Sequence, residues 1–452
     1  MEANREEQMF NGPILPLILK LALPIFAGMV FQLIYNITDT IWISRIDLSD
    51  PSIVGGVGII FPLMFFIIAL SNGLMVGTAS LVARAVGEKS EDKLDAAADS
   101  GIFLAVIISI LVLVLGYIFL NPLVSMLGAE GSYFANARDY LAYILPAAAF
   151  MFIANVFMGV LQGEGLMKYV MVSMILGTVL NVILDPIAIF VFNMGIKGAA
   201  LATVISQAIA FLYIVFIFLS GRTRVPVHFK LSGFRAYVMK EITVVGFPQA
   251  LGQMIMSLSF LIFNTVVISI DERALTAFAL CGRIDQAVLM PIFAIASAIV
   301  TIVGQNYGRK RFDRVKKAWS TAITVSISVS AVVVFLIVIF APKIYAFFTD
   351  VPEVLDYAVR QVRFLEYAFI FSSLGILGRS FFQAVGKGWN GMVLVLLRLI
   401  LLAVPAVIIF VYVFDWGIYG VWGGVMLGNL LTALISAIWI PRSIKKMETA
   451  AA

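Results

Sequence analysis

Two carboxylates sit where a hydrocarbon environment should exclude them. Asp39 lies in Tyr35-Asn36-Ile37-Thr38-Asp39-Thr40 and Asp185 in Asn181-Val182-Ile183-Leu184-Asp185-Pro186, each within a long apolar run. An ionised side chain inside a membrane costs at least about 2.5 kcal/mol, so such residues usually face a hydrated interior and handle ions or substrate. Asn181 and Asp185, four apart, share one helix face, and Asn36 and Asp39, three apart, do likewise. Four oxygen-bearing groups are therefore expected to converge between the first and fifth apolar segments. Carboxylate and amide oxygens suit Na⁺. A carboxylic acid whose neutral form is favoured by burial and by a second carboxylate suits H⁺. The residue types do not choose between the ions. Helix capping is the structural alternative, chiefly for Asp39, which is close to Arg45 and Asp47. Pro186 removes a backbone donor and leaves the carbonyl of residue 182 without its usual partner.

Other polar residues in apolar surroundings are candidates for substrate contact or gating: Tyr35, Asn155 and Gln162 in the first half, and Asn264, Arg283, Asp285, Arg379 and Arg398 in the second. Arg283 and Asp285 are two apart and cannot pair on one helix face, so each is assigned a structural partner elsewhere. Arg398 lies deeper and could meet substrate or an acidic partner. The 36 phenylalanines and 19 methionines would suit a broad apolar cavity, because methionine adapts to varied shapes.

The elements that position these residues are membrane helices. Of 452 residues, 62% are hydrophobic and 13% charged, with a mean hydropathy of +1.04, well above the apolar share of a soluble domain. The apolar residues form about a dozen blocks of roughly 20 to 30 residues, each long enough to cross a bilayer as a helix. They are too long and continuous for the alternating strands of a barrel. Twelve spans are expected, near 14–44, 53–76, 94–119, 137–160, 166–190, 196–219, 242–270, 276–304, 314–341, 361–384, 389–412 and 418–441. The first is too long for a cleaved signal and is read as retained.

Basic loops alternate with acidic ones. Lys89 and Lys93, Lys168, the stretch with Arg222, Arg224, Lys230, Arg235 and Lys240, the cluster from Arg309 to Lys317, Lys387, and Arg442 with Lys445 and Lys446 fall on one side. That side is expected to be cytoplasmic, with both termini. The net charge of +5 is thus explained by orientation, and no nucleic-acid partner is expected. One cysteine, Cys281, and one histidine, His228, exclude a disulfide within the chain and make His or Cys metal chemistry implausible.

The chain repeats itself. At a spacing of 221 residues Gly87 meets Gly308, Lys89 meets Lys310, Asp92 meets Asp313, Gln162 meets Gln383 and Gly165 meets Gly386. Gly87 and Gly308 are expected to end spans in the left-handed conformation. Leu23-Pro24 and Phe247-Pro248 open similar long spans, and Gly195-Ile196-Lys197-Gly198 parallels Gly417-Ile418-Tyr419-Gly420. Six spans per half give two parallel bundles, with an N-terminal lobe at 1–220, a cytoplasmic connection at 221–241 and a C-terminal lobe at 242–452. The positions matching Asp39 and Asp185 hold Phe263 and Ala406. Coupling chemistry is therefore expected in the first half.

Leu23-Pro24 followed by Tyr35-Asn36 and Asp39, Val86-Gly87, Gln305-Asn306-Tyr307-Gly308, Leu161-Gln162-Gly163, Asn181 to Pro186 and Gly195 to Ala200 with Ala202-Thr203 occur in an order that resembles the multidrug and toxic compound extrusion (MATE) family of the MOP flippase superfamily. The resemblance covers nearly the whole chain. It implies two six-helix lobes forming a V-shaped chamber that exports cationic or amphipathic compounds against influx of Na⁺ or H⁺. The prokaryotic DinF-like branch, named for DNA-damage-inducible transporters, is the most similar. Its ion-site residues correspond to Asp39, Asn181 and Asp185, and it adds Thr203, which the spacing argument does not reach; Na⁺ would be held by these four. The acids that another bacterial branch uses in spans 7 and 10 are missing, since Gly252 to Phe263 and Phe364 to Gln383 contain only Glu366, so no second-lobe cation site is expected.

These readings imply a multidrug antiporter working by alternating access, with small organic cations or amphipathic molecules and membrane lipid as partners. It would need no cofactor beyond its coupling ion, and would be monomeric in a prokaryotic cytoplasmic membrane. Export of a lipid-linked or amphipathic metabolite is the alternative that Arg283, Arg379 and Arg398 keep open, and a passive channel or scaffold is a third. No nucleophile-base spacing or phosphate loop suggests an enzyme.

Overall fold

The computed structural model describes residues 2–47, 49–227 and 233–451, with side-chain surroundings from residue 6 onward. His228 and Lys230 lie outside the described residues. Every regular element among those described is helical: α1 Glu2–Phe10, α2 Ile14–Ser44, α3 Ser52–Glu88, α4 Glu91–Ile118, α5 Leu120–Met126, α6 Gly131–Gly163, α7 Met167–Pro186, α8 Ile196–Leu219, α9 Ala236–Ile270, α10 Glu272–Gly308, α11 Phe312–Ala346, α12 Pro352–Leu365, α13 Ala368–Ala384, α14 Gly388–Leu396, α15 Val404–Ile408 and α16 Ile418–Ala451. A π-helical turn, Ile187–Val191, follows α7, and two more, Leu397–Ala403 and Ile409–Val413, flank α15. Helices are the form in which a backbone in lipid satisfies itself. Large apolar side chains such as Phe61, Leu212, Val332 and Phe335 are more than half exposed, as a surface facing acyl chains would be.

Among the described residues eleven helical segments are long and apolar enough to cross a membrane, one fewer than the twelve spans expected. The difference is local. In the first half α6 runs unbroken from Gly131 to Gly163. At the 221-residue spacing the second half has α12 and α13, interrupted at Glu366-Tyr367, and neither piece reaches spanning length alone. α9 begins at Ala236, inside the stretch 221–241 expected to connect the lobes.

The repeat extends to backbone detail. Lys89 and Lys310 have φ of 56° and 57°, Gly165 and Gly386 have 79° and 77°, and Asn193 and Asp415 have 52° and 54°. The π turns Ile187–Val191 and Ile409–Val413 also correspond. The left-handed residue after α3 and α10 is thus a lysine, whereas Gly87 and Gly308 remain helical. The expectation for those two glycines was wrong by two residues. The chain turns only after α3 has run its last residues to Glu88, and the Lys89 backbone N–H then caps the Ala85 and Val86 carbonyls.

Contacts divide the chain into two units, Pro24–Phe247 and Met1–Leu23 with Pro248–Ala452. The divisions fall inside α2 and α9, in each case immediately before a proline, the residue that removes an intrahelical hydrogen bond. Within the first unit, the start of α9 is held by Glu241, which pairs with Arg84 at 2.8 Å and Lys93 at 3.3 Å. Within the second, the Arg314 guanidinium donates to the Met9 and Gly12 carbonyls, each at 3.0 Å. Arg314 is the repeat counterpart of Lys93. Close helix packing rests on small residues: a Cβ on Gly159 of α6 would lie 2.4 Å from the Met75 carbonyl oxygen of α3.

Candidate functional site

The acidic cluster forms where α7 loses its regular hydrogen bonding. Pro186 cannot donate, and the helix widens into the π turn Ile187–Val191. α8 packs directly onto this turn. A Cβ on Gly198 would lie 2.7 Å from the Ala188 carbonyl group, so glycine permits the approach. One further turn and a half along α8, Thr203 reaches the cluster.

There the Asn181 side-chain amide donates to Asp185 Oδ1 at 3.0 Å and to Thr203 Oγ1 at 3.1 Å. The Tyr35 hydroxyl lies 3.5 Å from Thr203 Oγ1. Asp39 and Asp185 meet side chain to side chain, and among the described residues no cation is in the set of groups acting on either. Asp39 Oδ1, Asn181 Oδ1 and Asp185 Oδ2 are buried without a hydrogen-bond partner. Asp185 is fully buried and Asn181 almost so. Two carboxyl groups at this range in a low dielectric need a proton or a cation between them, and unpaired oxygens are the donors that either would use.

The structure brings together Asp39, Asn181, Asp185, Thr203 and Tyr35. Asn36 does not join them: it is exposed, and its carbonyl accepts the Thr40 hydroxyl at 2.8 Å. The i,i+4 partner of Asp39 on α2 is Tyr35, whose direction is nearer to that of Asp39 than the i,i+3 position. Sequence reasoning missed Tyr140 of α6, which is buried and close enough to feel Asp39, Asp185 and Tyr35. Asn155 and Gln162 are buried in the same unit; Asn155 donates to Ser71 Oγ at 2.6 Å and ties α6 to α3.

The second unit differs. Asn264 and Arg283 are exposed. Asp285 of α10 meets Glu366 at the α12–α13 break, with Cys281 and Tyr345 beside them. Asp285 Oδ1, Glu366 Oε1 and the Tyr345 hydroxyl are buried and unpaired. The second half therefore has a carboxyl pair of its own, away from the equivalent positions, which hold no carboxylate. Both residues are visible in the sequence, but their meeting is not, because they do not occupy the positions that match Asp39 and Asp185. Arg379 of α13 and Arg398, in the π turn after α14, line a half-open pocket with Met256, Phe293, Gly375, Ile376, Leu394 and Val395.

A profile of the MatE family matches residues 24–187 and again 248–409, so the same family pattern occurs in both halves and begins each time at the proline where the contact units divide. The multidrug export protein MepA of Staphylococcus aureus is 23% identical over 96% of both chains. A MOP superfamily transporter from Pyrococcus furiosus, whose binding pocket is described as of reverse polarity, is 30% identical, covers 98% of both chains and superposes with a TM-score of 0.91. The MATE transporter ClbM, solved with Rb⁺, is 33% identical over 98% of this chain and 99% of that one, with a TM-score of 0.88. With the family pattern spanning most of its length and the whole fold shared with these transporters, the chain belongs to the MatE family of the MOP superfamily.

Proposed function

We infer that this protein is a secondary active antiporter that exports cationic or amphipathic compounds in exchange for H⁺ or Na⁺. The observation that carries the reading is the meeting of Asp39 and Asp185 inside membrane-spanning helices, with three buried oxygens lacking a donor. In the cycle, an ion entering from outside neutralises the pair, α2 repacks around Tyr35 and Asp39, and substrate is released. Ion release to the cytoplasm restores negative charge for the next substrate. The ion drives this exchange only through different affinities in the two states. Na⁺ would take oxygens of Asp39, Asn181, Asp185 and Thr203, and H⁺ would need only the two acids.

Several finer assignments belong to the same proposal. α12 and α13 together make the twelfth span, since they correspond to the continuous α6 at the repeat spacing. The chain then has six spans per half in like orientation, with both termini cytoplasmic as the basic loops require. The first-half ion site fits the DinF-like branch. The chain acts as a monomer in a prokaryotic cytoplasmic membrane.

Efflux of a fluorescent organic cation from proteoliposomes, under separately imposed Na⁺ and pH gradients, tests the reading. The wild type is expected to respond to one gradient, and the Asp39→Asn, Asp185→Asn double variant to neither. Gradient-driven efflux that persists in the double variant overturns it.

A further inference from the structure

The cavity in the second unit has an unusual charge. Arg379 and Arg398 both line it, and the charged neighbour acting on Arg398 is Arg379 itself. Neither guanidinium Nε has a hydrogen-bond partner, and both atoms are buried. The acids on the helical stretches that line the cavity within this unit are Glu272 and Asp285. Asp285 is already engaged with Glu366 and lies eight residues, about 12 Å along the helix, from Phe293. Glu272 is a further thirteen residues away. Arginine stays charged in proteins. Two adjacent, partly buried guanidinium groups with no nearer acid on the described stretches that line the pocket repel one another, and a bound anion offsets that repulsion.

Close packing holds the backbone at both arginines. A Cβ on Gly391 would lie 3.0 Å from the Arg379 carbonyl oxygen, and one on Gly428 would lie 2.6 Å from that of Arg398, so glycines on α14 and α16 let neighbouring helices close around the two arginine backbones. Arg398 is the second residue of the π turn Leu397–Ala403, an element that frequently marks functional sites. Neither arginine has a basic counterpart in the first half, where the repeat spacing gives Met158 and Gly177. The other lining residues are apolar except for glycine.

We propose that Arg379 and Arg398 form an oxyanion subsite that binds the phosphate or similar acidic group of an amphipathic molecule whose apolar part rests against Met256, Phe293, Ile376, Leu394 and Val395. The planar guanidinium fork matches phosphate geometry with paired hydrogen bonds. The inference rests on the transport reading and narrows its substrate class: amphipaths carrying an acidic group, including zwitterions, are held by this half, while the carboxyl cluster of the other half handles the ion.

The test is binding to the purified full-length protein in nanodiscs of zwitterionic lipid, measured by calorimetry with three probes: dodecyl phosphate, dodecyltrimethylammonium and inorganic phosphate. Dodecyl phosphate is expected to bind at least about tenfold more tightly than the equally long cation. Arg379→Gln and Arg398→Gln should each weaken it by about tenfold or more, with Arg379→Lys intermediate. Inorganic phosphate that binds nearly as well as dodecyl phosphate identifies a free anion as the occupant. Loss of dodecyl phosphate affinity when anionic phospholipid is added identifies a lipid headgroup. Equal affinity of the wild type for the two dodecyl probes overturns the proposal without relying on any variant, and so does unchanged phosphate affinity in both glutamine variants. Because binding is measured without an ion gradient, either failure leaves the antiport reading standing, and a failure of gradient-driven efflux leaves the subsite standing.

Discussion

The two halves share a backbone and differ in charge. Lys89 and Lys310, Gly165 and Gly386, and Asn193 and Asp415 repeat their unusual φ values to within a few degrees. Yet α2 and α7 bring Asp39 to Asp185, whereas the corresponding positions in the second half are apolar, and that half places Asp285 against Glu366 and pairs Arg379 with Arg398. The difference teaches that the repeat conserves what backbone geometry requires, while the buried polar residues are free to specialise. A duplicated transporter can thus give ion handling to one half and substrate recognition to the other.

The largest expected effect tests that division directly. Asp39→Asn with Asp185→Asn should abolish gradient-driven efflux, whereas Asp285→Asn or Glu366→Gln should leave it gradient-driven and shift the ion concentration at half-maximal rate by several-fold. The measurement is proteoliposome efflux against ion concentration for each variant. If Glu366→Gln abolishes coupling and the first-half double variant does not, the division of labour is reversed.

A second comparison uses matched glycines. Gly198 packs on the π turn after α7, and Gly420 packs in the same way on the π turn after α15, where an added Cβ would lie 2.9 Å from Phe410 and Val411 backbone atoms. Alanine at either position overpacks a helix contact and should cost about 1 to 3 kcal/mol, read as a lower melting temperature in detergent. Gly198→Ala should also weaken ion affinity, because it moves α8 and with it Thr203 away from Asn181. Gly420→Ala should not. Equal effects on ion affinity would remove Thr203 from the site.

How far the sequence discloses this arrangement follows from what each feature depends on. Asp39, Asn181 and Asp185 were legible because a carboxylate in an apolar run is conspicuous and an i,i+4 pair shares a helix face. Tyr140 was not, because a tyrosine on a membrane helix has many ordinary uses and its position against Asp39 is set by the packing of α6. Glu366 was visible but read as lying at the outer end of a continuous span; only the break between α12 and α13 turns it toward Asp285. The cavity around Arg379 and Arg398 depends on the approach of α14 and α16 through Gly391 and Gly428, a contact that spacing in the chain does not encode. The expectation that Gly87 and Gly308 turn the chain failed for a related reason: lysine can take the left-handed conformation where the following helix fixes the turn.

The smallest expected effect concerns the caps on the long helices α3 and α10. Asp50 Oδ1 accepts from the Ser52 backbone N–H at 2.9 Å and, one repeat later, Asp271 Oδ1 accepts from the Arg273 backbone N–H at 2.7 Å. Asp271 has an additional partner, the Tyr357 hydroxyl, which donates to Oδ2 at 2.9 Å. The Arg273 backbone N–H first, and the Tyr357 hydroxyl next, hold the Asp271 carboxyl below its usual range. A depressed carboxyl contributes stability above its unfolded value, near pH 4, and loses it as pH falls through the native value. Asp271→Ala should therefore lower the melting temperature slightly more than Asp50→Ala at pH 7. The Asp271→Ala deficit should shrink below about pH 4 and vanish once the native carboxyl is protonated. Melting curves of both variants across pH 3 to 7 make the comparison. A deficit for Asp271→Ala that is unchanged at the acid end would mean that the tie between α10 and Tyr357 does not depend on the carboxylate charge, and that the matched caps differ in packing alone.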